Sequence, residues 1–338
     1  MKKQESPNKK SKTKASIIVR TKNEATHIKD LLDSMVKNDI ISPSTEVIIV
    51  DGHSSDETVN IASRYPVKIV VESTGTRGGA SNVGWKNASG NVVVYIDADC
   101  LTVRNWIEKI LKHFEDEKVA VVGGPDLTFP STKSYFEKAS GLLDELRVAP
   151  SHKQNAIFRL RGCNIAYRKS ALAKSKGFDD SLHVGEETEL IYRLHKMGYR
   201  LILDSSIIVY HRRRSSITEY FKQFFGYGYS KFKLAMKHPS TFFFPEVFLF
   251  PFASILIIIS VILYLMNPNF LPLFLFSMAI PVAYVAYTVY KIVSYANSKK
   301  LLLGAITALV TRNIASAAGF FAASVAEPLK KIKGKNRK

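Results

Sequence analysis

Residues 46–58 read EVIIVDGHSSDET, and this stretch decides the fold class. Its first half is rich in β-branched residues, which favour a buried strand, and the polar residues after Val50 favour a turn. Ser55 or Asp56 can then cap a helix, which predicts a helix over residues 55–64. A strand that leads through a polar turn into a helix is the repeating unit of a parallel α/β sheet.

The same unit recurs on both sides of this stretch. Further strands are predicted at residues 16–19, 67–71 and 92–96, with helices at 24–36 and 79–87. Strands that alternate with helices at this spacing predict an α/β fold with a mostly parallel sheet and right-handed crossovers. Ligands of such sheets bind beyond the carboxyl ends of the strands, so we expect the functional residues there.

Polar residues follow three of the predicted strands. They are RTKNE at residues 20–24, Asp51 with the turn after it, and the Asp-Ala-Asp of residues 97–99. In proteins Mg²⁺ is usually held by one or two carboxylates together with substrate phosphates. Asp97 and Asp99 at a strand end therefore suit a site for a metal ion and a diphosphate, although the same spacing also occurs in ordinary loops.

Four strings, in this order and spacing, resemble the nucleotide-sugar-binding half of family 2 glycosyltransferases: SIIVRTKNE, EVIIVDGHSSDET, RGGASNVGW and VVYIDAD. The resemblance covers roughly residues 15–237. It implies a GT-A fold, an inverting mechanism, a nucleotide-sugar donor, and a Mg²⁺ or Mn²⁺ ion at Asp97 and Asp99. The donor-binding residues that it implies are Thr21, Asn23, Glu24, Asp51, Arg77, Asn82 and Asp97.

The resemblance continues into the second half of this region. RGCNIAYR at residues 161–168 resembles the acceptor-side loop and strand of the family, which implies an acceptor contact at Asn164. GEETEL at residues 185–190 resembles the helix start where the family usually has a Glu-Asp pair, whose Asp is the catalytic base. Here Glu187 holds the position of that base, with Glu186 as the alternative. The helix dipole alone also favours acidic residues at a helix N-terminus.

The acidic pair bears on the nature of the acceptor. A sugar hydroxyl needs a carboxylate to take its proton, whereas a phosphomonoester, with a second pKa of about 6, hardly does. We therefore expect transfer to a sugar hydroxyl of a lipid-linked acceptor, in the assembly of a cell-surface polysaccharide or other glycan. A polyprenyl-phosphate sugar synthase is the alternative enzyme. A membrane-anchored scaffold that uses the same fold without catalysis is the alternative that is not an enzyme.

Two long apolar segments follow the α/β region, at residues 247–265 and 270–290, and each is long enough to cross a bilayer. A third, at residues 301–325, contains Arg312, and an arginine in mid-membrane costs about 2.5–3.5 kcal/mol. We expect two spans and an interfacial or re-entrant third helix, with three spans as the alternative. By the positive-inside rule, two spans keep the basic residues at 291–300 and the basic tail on the cytoplasmic side.

Before the first apolar segment, residues 217–236 interleave aromatic residues with lysines. This composition is typical of a helix that lies in the head-group layer of a membrane, and Gly226 and Gly228 predict a break within it. The expected domains are a disordered basic arm (1–14), the GT-A domain (15–212), amphipathic juxtamembrane helices (213–240), the membrane region (241–327) and a basic tail (328–338).

The charge of the chain favours an anionic partner. Lys and Arg number 48 against 29 Asp and Glu, a formal net charge of +19. The basic clusters flank apolar segments and no nucleic-acid motif occurs, which favours membrane lipid over nucleic acid. Arg212, Arg213 and Arg214 suit either a lipid pyrophosphate or anionic lipid head groups. In many membrane-bound relatives a histidine follows the last strand here, which implies that His211 is a further metal ligand near the donor phosphates.

Three further features of the sequence bear on the class of glycosyltransferase and on the cellular compartment of the catalytic domain. The sequence has no Gln-x-x-Arg-Trp string, which argues against a processive polysaccharide synthase. Its only cysteines, Cys100 and Cys163, indicate neither a disulfide framework nor a metal knuckle, and this fits a reducing compartment. Because no apolar run precedes Ala15, we expect no cleavable signal peptide and a catalytic domain on the cytoplasmic side of the cell membrane.

Overall fold

The computed structural model describes residues 14–148, 153–154, 160–243, 245–296 and 299–335, and the chain divides into two compact units. The first unit comprises Met1–Asp126, Ser151–Ser181 and Leu190–Val209. The second unit comprises Leu127–Pro150, Leu182–Glu189 and Tyr210–Lys338. The expected catalytic domain, residues 15–212, therefore contributes to both units. Residues 1–13 of the expected basic arm and 336–338 of the expected tail lie outside the described residues.

Eleven strands occur among the described residues. They are β1 Ala15–Thr21, β2 Thr45–Asp51, β3 Lys68–Val71, β4 Val92–Asp97, β5 Cys100–Leu101, β6 Val119–Gly123, β7 Asp126–Thr128, β8 Lys153–Gln154, β9 Asn164–Arg168, β10 Arg200–Leu203 and β11 Val209–His211. Eight of them form the main sheet in the order β3-β2-β1-β4-β9-β6-β10-β8, and the other three form a small sheet in the order β5-β11-β7.

The main sheet is mostly parallel, as the sequence predicted. Strands β3, β2, β1 and β4 run parallel to one another, and β10 runs parallel to β6. Strand β9 lies antiparallel to both of its neighbours, β4 and β6, and β8 lies antiparallel to β10. The expected α/β class is therefore observed as a mostly parallel sheet in which β9 is inserted antiparallel and β8 is antiparallel at one edge.

Eleven α-helices occur in the same described part of the chain. They are α1 Ile28–Lys37, α2 Thr58–Ala62, α3 Arg77–Asn87, α4 Trp106–His113, α5 Tyr135–Val148, α6 Lys169–Lys174, α7 Glu186–Lys196, α8 Ile217–Lys237, α9 Pro245–Met266, α10 Leu271–Ala296 and α11 Leu302–Lys335. Short 3₁₀ helices lie at Pro239–Phe243, Pro268–Phe270 and Lys299–Leu301.

The register of the sheet determines which polar residues meet at its carboxyl edge. Strand β1 is buried except at Arg20, and the apolar face of α1, including Leu31 and Leu32, packs into the same core. Arg20 lies opposite Asp97 of β4, and Thr21 lies opposite Asp51 of β2. The core therefore fixes the strands so that polar residues from three strand ends come together at one edge.

In the second unit, α8 and α11 pack closely together. Helix α8 begins at its cap Ser216 and runs unbroken to Lys237, so the predicted break at the two glycines is wrong. Gly228 lies against α11, where a Cβ atom would be 1.9 Å from the carbonyl oxygen of Ser316. The glycine therefore allows a close approach between two helices instead of ending one.

Three helical segments among the described residues are long and apolar enough to cross a membrane: Val247–Met266, Pro268–Ser294 and Leu302–Leu329. The first two correspond to the two predicted apolar spans. The side chains of α9 and α10 are mostly exposed, as expected of helices that face lipid. Helix α11 differs because half of its apolar stretch is buried, and it packs against α5 and α8.

Candidate functional site

The loops that follow β1 and β2 are tied together by side-chain hydrogen bonds. Asp51 is 3% exposed, and its carboxylate accepts from the Thr21 hydroxyl (3.3 Å), the Ser54 hydroxyl (2.6 Å) and the Ser54 amide (3.0 Å). Asn23 has a φ of 58°, and its side-chain oxygen accepts from the Ser55 amide at 2.8 Å. Three of the predicted donor-binding residues, Thr21, Asn23 and Asp51, therefore hold these two loops in a single conformation.

Two arginines flank the first carboxylate of the Asp-Ala-Asp segment. Arg20 Nη2 lies 3.2 Å from Asp97 Oδ1, and Arg77 Nη2 lies 3.5 Å from both carboxylate oxygens. Arg20 Nη1 also donates to Ser81 Oγ at 2.9 Å, and the Arg20 side chain is only 10% exposed. The Arg77 side chain is 48% exposed and stands at the first turn of α3. Arg20 therefore fixes Asp97, whereas Arg77 is accessible to an anionic ligand.

Arg20 was not among the residues singled out from the sequence. In the sequence, only its position in the polar residues RTKNE after the first strand could have indicated that Arg20 belongs to the site. Its role depends on the register that sets it opposite Asp97, and this register involves residues 77 positions apart.

Three carboxyl groups form an acidic cluster at this edge. The carboxylates of Asp97 and Asp99 have oxygens within 4.8 Å of each other. Burial raises the pKa of Glu24; a hydrogen bond with His27 at 3.0 Å opposes this, and the charges of Asp99 and Asp97 raise it further. Divalent Mg²⁺ and Mn²⁺ prefer such oxygen ligands, so the residues present fit the metal that the resemblance implies.

Asn82 does not line a ligand pocket, contrary to the prediction. Its side chain is buried, and its nitrogen donates to the Phe178 carbonyl (2.8 Å) and to Asp180 Oδ1 (2.5 Å). Its oxygen accepts from Trp85 Nε1 (2.7 Å) and from the Phe178 amide (2.9 Å). With two donors and two acceptor positions in use, the amide is fully occupied inside the protein. Asn82 therefore anchors the Phe178–Asp180 loop, and we withdraw it from the donor contacts.

Asn164 has a comparable internal role, which corrects its prediction as an acceptor contact. It is fully buried; its nitrogen donates to the carbonyls of Pro125 (3.1 Å) and Ile207 (2.7 Å), and its oxygen accepts from Trp106 Nε1 at 2.9 Å. An acceptor cannot reach a fully buried amide with these bonds. Asn164 therefore ties β9 to neighbouring segments of the first unit.

The acidic segment at the start of α7 contains residues with different exposure. Glu186 and Glu189 are each only 1% exposed, whereas Glu187 is half-buried. The Glu189 carboxylate lies 2.7 Å from Lys237 Nζ and 2.9 Å from His238 Nε2. This contact holds the first turn of α7 to the end of α8. Of the two candidate bases, Glu187 is the more accessible to a substrate.

The basic segment after β11 is only partly available for phosphate binding. His211 is the last residue of β11, and the guanidinium of Arg212 lies 4.0 Å from the centroid of the Phe129 ring. The Arg213 side chain is 7% exposed, and its Nη1 lies 3.3 Å from Asp144 Oδ2. Arg214 is exposed. The buried ion pair removes Arg213 from the predicted lipid-phosphate contacts.

Comparison with known proteins agrees with this geometry. The model of glycosyl transferase family 2 matches residues 16–175, which include the ends of β1, β2 and β4 and stop before Glu186. A mannosyltransferase from Pyrobaculum calidifontis, solved with GDP-Man and Mn²⁺, is structurally similar with a TM-score of 0.59 at 21% identity. The superposition covers 91% of this chain and 87% of that one, and it shows that the GT-A fold is shared.

Two curated relatives are glycosyltransferases by name. The pre-mycofactocin glycosyltransferase of Mycobacterium tuberculosis is 27% identical over 66% of this chain and 48% of its own length. The dolichyl N-acetyl-alpha-D-glucosaminyl phosphate 3-beta-D-2,3-diacetamido-2,3-dideoxy-beta-D-glucuronosyltransferase of Methanococcus voltae is 24% identical over 73% of this chain and 81% of its own. This chain thus spans about half the length of the first relative. The strand-end carboxylates and the mostly parallel sheet lie largely within residues 16–175, the region of the chain that matches glycosyl transferase family 2.

Proposed function

We propose that this protein transfers a sugar from a nucleotide-sugar donor to a hydroxyl group of a lipid-linked sugar at the cytoplasmic face of a membrane. The observation that carries the proposal is the pair of carboxylates, Asp97 and Asp99, that lies beside Arg77 at the end of β4 in a family 2 domain. The Methanococcus relative, whose name gives a dolichyl-linked sugar phosphate as acceptor, supports the acceptor class.

The donor diphosphate would bind at the acidic cluster through a Mg²⁺ or Mn²⁺ ion held by Asp97 and Asp99, with His211 as a further ligand on the strength of the resemblance. When bound, the ion neutralises charge on the leaving diphosphate. Arg77 is half-exposed and lies 3.5 Å from Asp97, so its guanidinium is proposed as a contact to a phosphate oxygen of the donor. The interlocked loops with Thr21, Asn23, Glu24 and Asp51 provide a preorganised wall for the nucleoside.

Glu187 is the proposed general base. The acceptor oxygen forms a bond to C1 of the donor sugar, and the bond from C1 to the diphosphate oxygen breaks, its electron pair leaving with the nucleoside diphosphate. The hydroxyl proton passes to the Glu187 carboxylate, a step typically worth 10²–10⁴-fold in rate. Attack from the face opposite the leaving group inverts the configuration at C1. Arg212 and Arg214 are the proposed contacts to the lipid phosphate.

We also propose that α9 and α10 cross the membrane while α11 lies at its surface. The burial of half of the apolar stretch of α11 against α5 and α8 supports this arrangement. Arg312 supports it as well, because its side chain is buried within the second unit and does not face lipid. Helix α8, with its aromatic residues and lysines, then lies in the head-group layer.

Donor binding by the detergent-solubilised protein tests the proposal. UDP-, GDP- and dTDP-sugars are titrated with and without Mn²⁺ or Mg²⁺, on the native protein and on Asp99→Asn. We expect metal-dependent binding of one donor class, lost in Asp99→Asn. Asp39→Asn is the matched control, because Asp39 is an exposed carboxylate at a left-handed position that asparagine also favours. Binding of no donor would favour the scaffold alternative.

Turnover separates the two enzymatic alternatives. With the donor identified, Glu187→Gln should lower transfer to a lipid-linked sugar by at least about 100-fold while donor affinity is unchanged. A polyprenyl phosphate should be a poor acceptor. Efficient transfer to the bare phosphate, with little effect of Glu187→Gln, would instead identify a polyprenyl-phosphate sugar synthase. Unchanged transfer to the lipid-linked sugar would move the base to Glu186.

A further inference from the structure

The segment that carries the proposed base, Glu187, belongs to the second unit. Leu182–Glu189 groups with Tyr210–Lys338, whereas Asp97 and Asp99 belong to the first unit. A general base must lie within about 3 Å of the proton that it removes, so turnover depends on what holds it in place. The elements of the second unit that contact this segment are therefore the ones that can set the position of the base.

Helix α8 contacts this segment at two places along its length. A Cβ atom added at Gly226 would lie 3.9 Å from Val184 Cγ2, and one added at Gly185 would lie 2.9 Å from Ser230 Oγ. Gly185 has a φ of 80°, a left-handed conformation that favours glycine, and it leads directly into α7. Because α8 is continuous from Ile217 to Lys237, both contacts place the start of α7 against one rigid element.

The third contact is an ion pair with a buried carboxylate at the end of α8. Glu189 is 1% exposed, and its Oε1 lies 2.7 Å from Lys237 Nζ and 2.9 Å from His238 Nε2. An ionised carboxylate only accepts hydrogen bonds, so both nitrogens donate to it. The Glu189 amide donates to the Gly185 carbonyl at 3.0 Å and so closes the turn that contains Glu187. Removing one partner of a buried ion pair is strongly unfavourable, which makes this contact a strong restraint on that turn.

We propose that Glu189, Lys237 and His238 are positioning residues that hold the first turn of α7 so that the Glu187 carboxylate reaches the acceptor hydroxyl. The first turn of a helix needs such support, because its N–H groups have no partners within the helix. The inference rests on the proposed function, in which Glu187 is the base. Because α8 is also the helix proposed for the head-group layer, its end would hold the base near the membrane surface, where a lipid-linked hydroxyl arrives.

Turnover and donor binding of the full-length protein in detergent are the first test, with farnesyl-diphosphate-linked N-acetylglucosamine as the acceptor probe. Lys237→Met/His238→Leu replaces both donors to Glu189 with uncharged side chains of similar size. We expect kcat to fall at least about tenfold, because a displacement of about 1 Å can cost about 100-fold in rate. The dissociation constant of the donor should change by less than about twofold, since the expected donor contacts Asp97 and Asp99 belong to the first unit.

Two further variants serve as controls for this loss. Lys237→Arg/His238→Gln keeps a donor at each position and should retain at least about a third of the native kcat. Lys196→Met removes a positive charge from an exposed position at the other end of α7 and should match the native protein. Native kcat in Lys237→Met/His238→Leu would overturn the proposal. If that variant does not fold, Lys237→Met alone decides: we expect about a threefold loss of kcat, and native kcat would equally overturn the proposal.

A double-mutant cycle shows whether the contact acts through the base. In the Glu187→Gln background, adding Lys237→Met/His238→Leu should lower kcat by less than about twofold more, because the group that it positions is already absent. A further loss of about tenfold or more in that background would mean that the ion pair supports the fold in general, and it would overturn the positioning role.

Hydrogen exchange followed by mass spectrometry separates this inference from the proposed function, because it needs no substrate. Peptides from residues 183–189 should exchange at least about tenfold faster in Lys237→Met/His238→Leu than in the native protein, while those from β1 and β2 stay unchanged. A native protein without turnover would contradict the proposed function, and the exchange rates would then decide whether the ion pair holds this turn. Unchanged exchange at residues 183–189 would overturn the inference whatever the protein transfers.

Discussion

At the scale of single residues, the charged form of Glu24 should destabilise the folded protein, first because the carboxyl is partly buried and also because the charges of Asp99 and Asp97 lie near it. Its pKa is raised above the ordinary 4.5, so the folded protein disfavours its charged form. The stability associated with the protonated carboxyl is therefore present at low pH and is lost as the pH rises above about 4.5. We expect Glu24→Gln to raise the melting temperature by about 2 °C at pH 7 and to have no effect near pH 4.

The melting temperature of both proteins from pH 4 to pH 8, followed in detergent by intrinsic fluorescence, checks this expectation. Added Mn²⁺ should reduce the difference at pH 7, because a bound cation stabilises the charged form of nearby carboxyls. Glu115→Gln, which changes an exposed glutamate, should behave like the native protein throughout. A difference between Glu24→Gln and the native protein that does not change with pH would contradict the raised pKa of Glu24.

The residues also show how far the sequence predicts the site. Asp51, Asp97 and Asp99 were predicted because they lie at or just after the ends of predicted strands, and strand ends of a parallel sheet meet at one edge; the structure has Asp51 and Asp97 as the last residues of β2 and β4. Asn82 and Asn164 were misassigned for the opposite reason. Asn82 bonds a loop 96 residues away and Asn164 bonds a tryptophan 58 residues away. Partners so far apart in sequence leave no local signal that an amide is already saturated.

At the scale of elements, the packing of α8 on α11 should depend on glycine at one position and not at another. A Cβ at Gly228 would lie 1.9 Å from Ser316 O, whereas one at Gly226 would meet only Val184 Cγ2 at 3.9 Å. We expect Gly228→Ala to destabilise the second unit by about 1–3 kcal/mol. Gly226→Ala should be neutral or stabilising by up to about 1 kcal/mol, since alanine favours helix.

The two alanine variants form a matched pair on one helix, and their melting temperatures in detergent provide the comparison. Gly319→Ala tests the same interface from α11, because its Cβ would lie 2.0 Å from the Phe225 carbonyl oxygen. It should resemble Gly228→Ala. Equal stability of Gly226→Ala and Gly228→Ala would mean that the helices separate easily and that the close contact is not a source of stability.

The elements themselves were predicted well where a local pattern determines them. Strand β2 was expected at residues 46–50 and runs from Thr45 to Asp51, and β4 was expected at 92–96 and runs from Val92 to Asp97. The antiparallel insertion of β9 between β4 and β6 could not be predicted, because strand order depends on contacts between distant segments. The uninterrupted α8 was missed for the same reason: its glycine serves a partner helix some 90 residues later.

At the scale of the whole molecule, the distribution of charge and apolar surface favours a membrane protein that is anchored by α9 and α10. The charge of +19 includes basic residues on either side of the apolar helices, and those residues should lie on the cytoplasmic side. The Asn267–Asn269 turn between α9 and α10 carries no charge and is exposed. With two crossings, this turn lies outside, and the start of α9 and the end of α10 lie inside.

Single cysteines introduced at Asn269, Lys300 and Asn336 test this topology in intact cells. A membrane-impermeant maleimide should label Asn269→Cys from outside, and it should label Lys300→Cys and Asn336→Cys only after permeabilisation. The native Cys100 and Cys163 are 1% and 6% exposed, so they should contribute little background. If α11 crosses the membrane, Asn336→Cys will react in intact cells while Lys300→Cys stays protected. That result would place Arg312 within a spanning helix and would contradict the surface position proposed for α11.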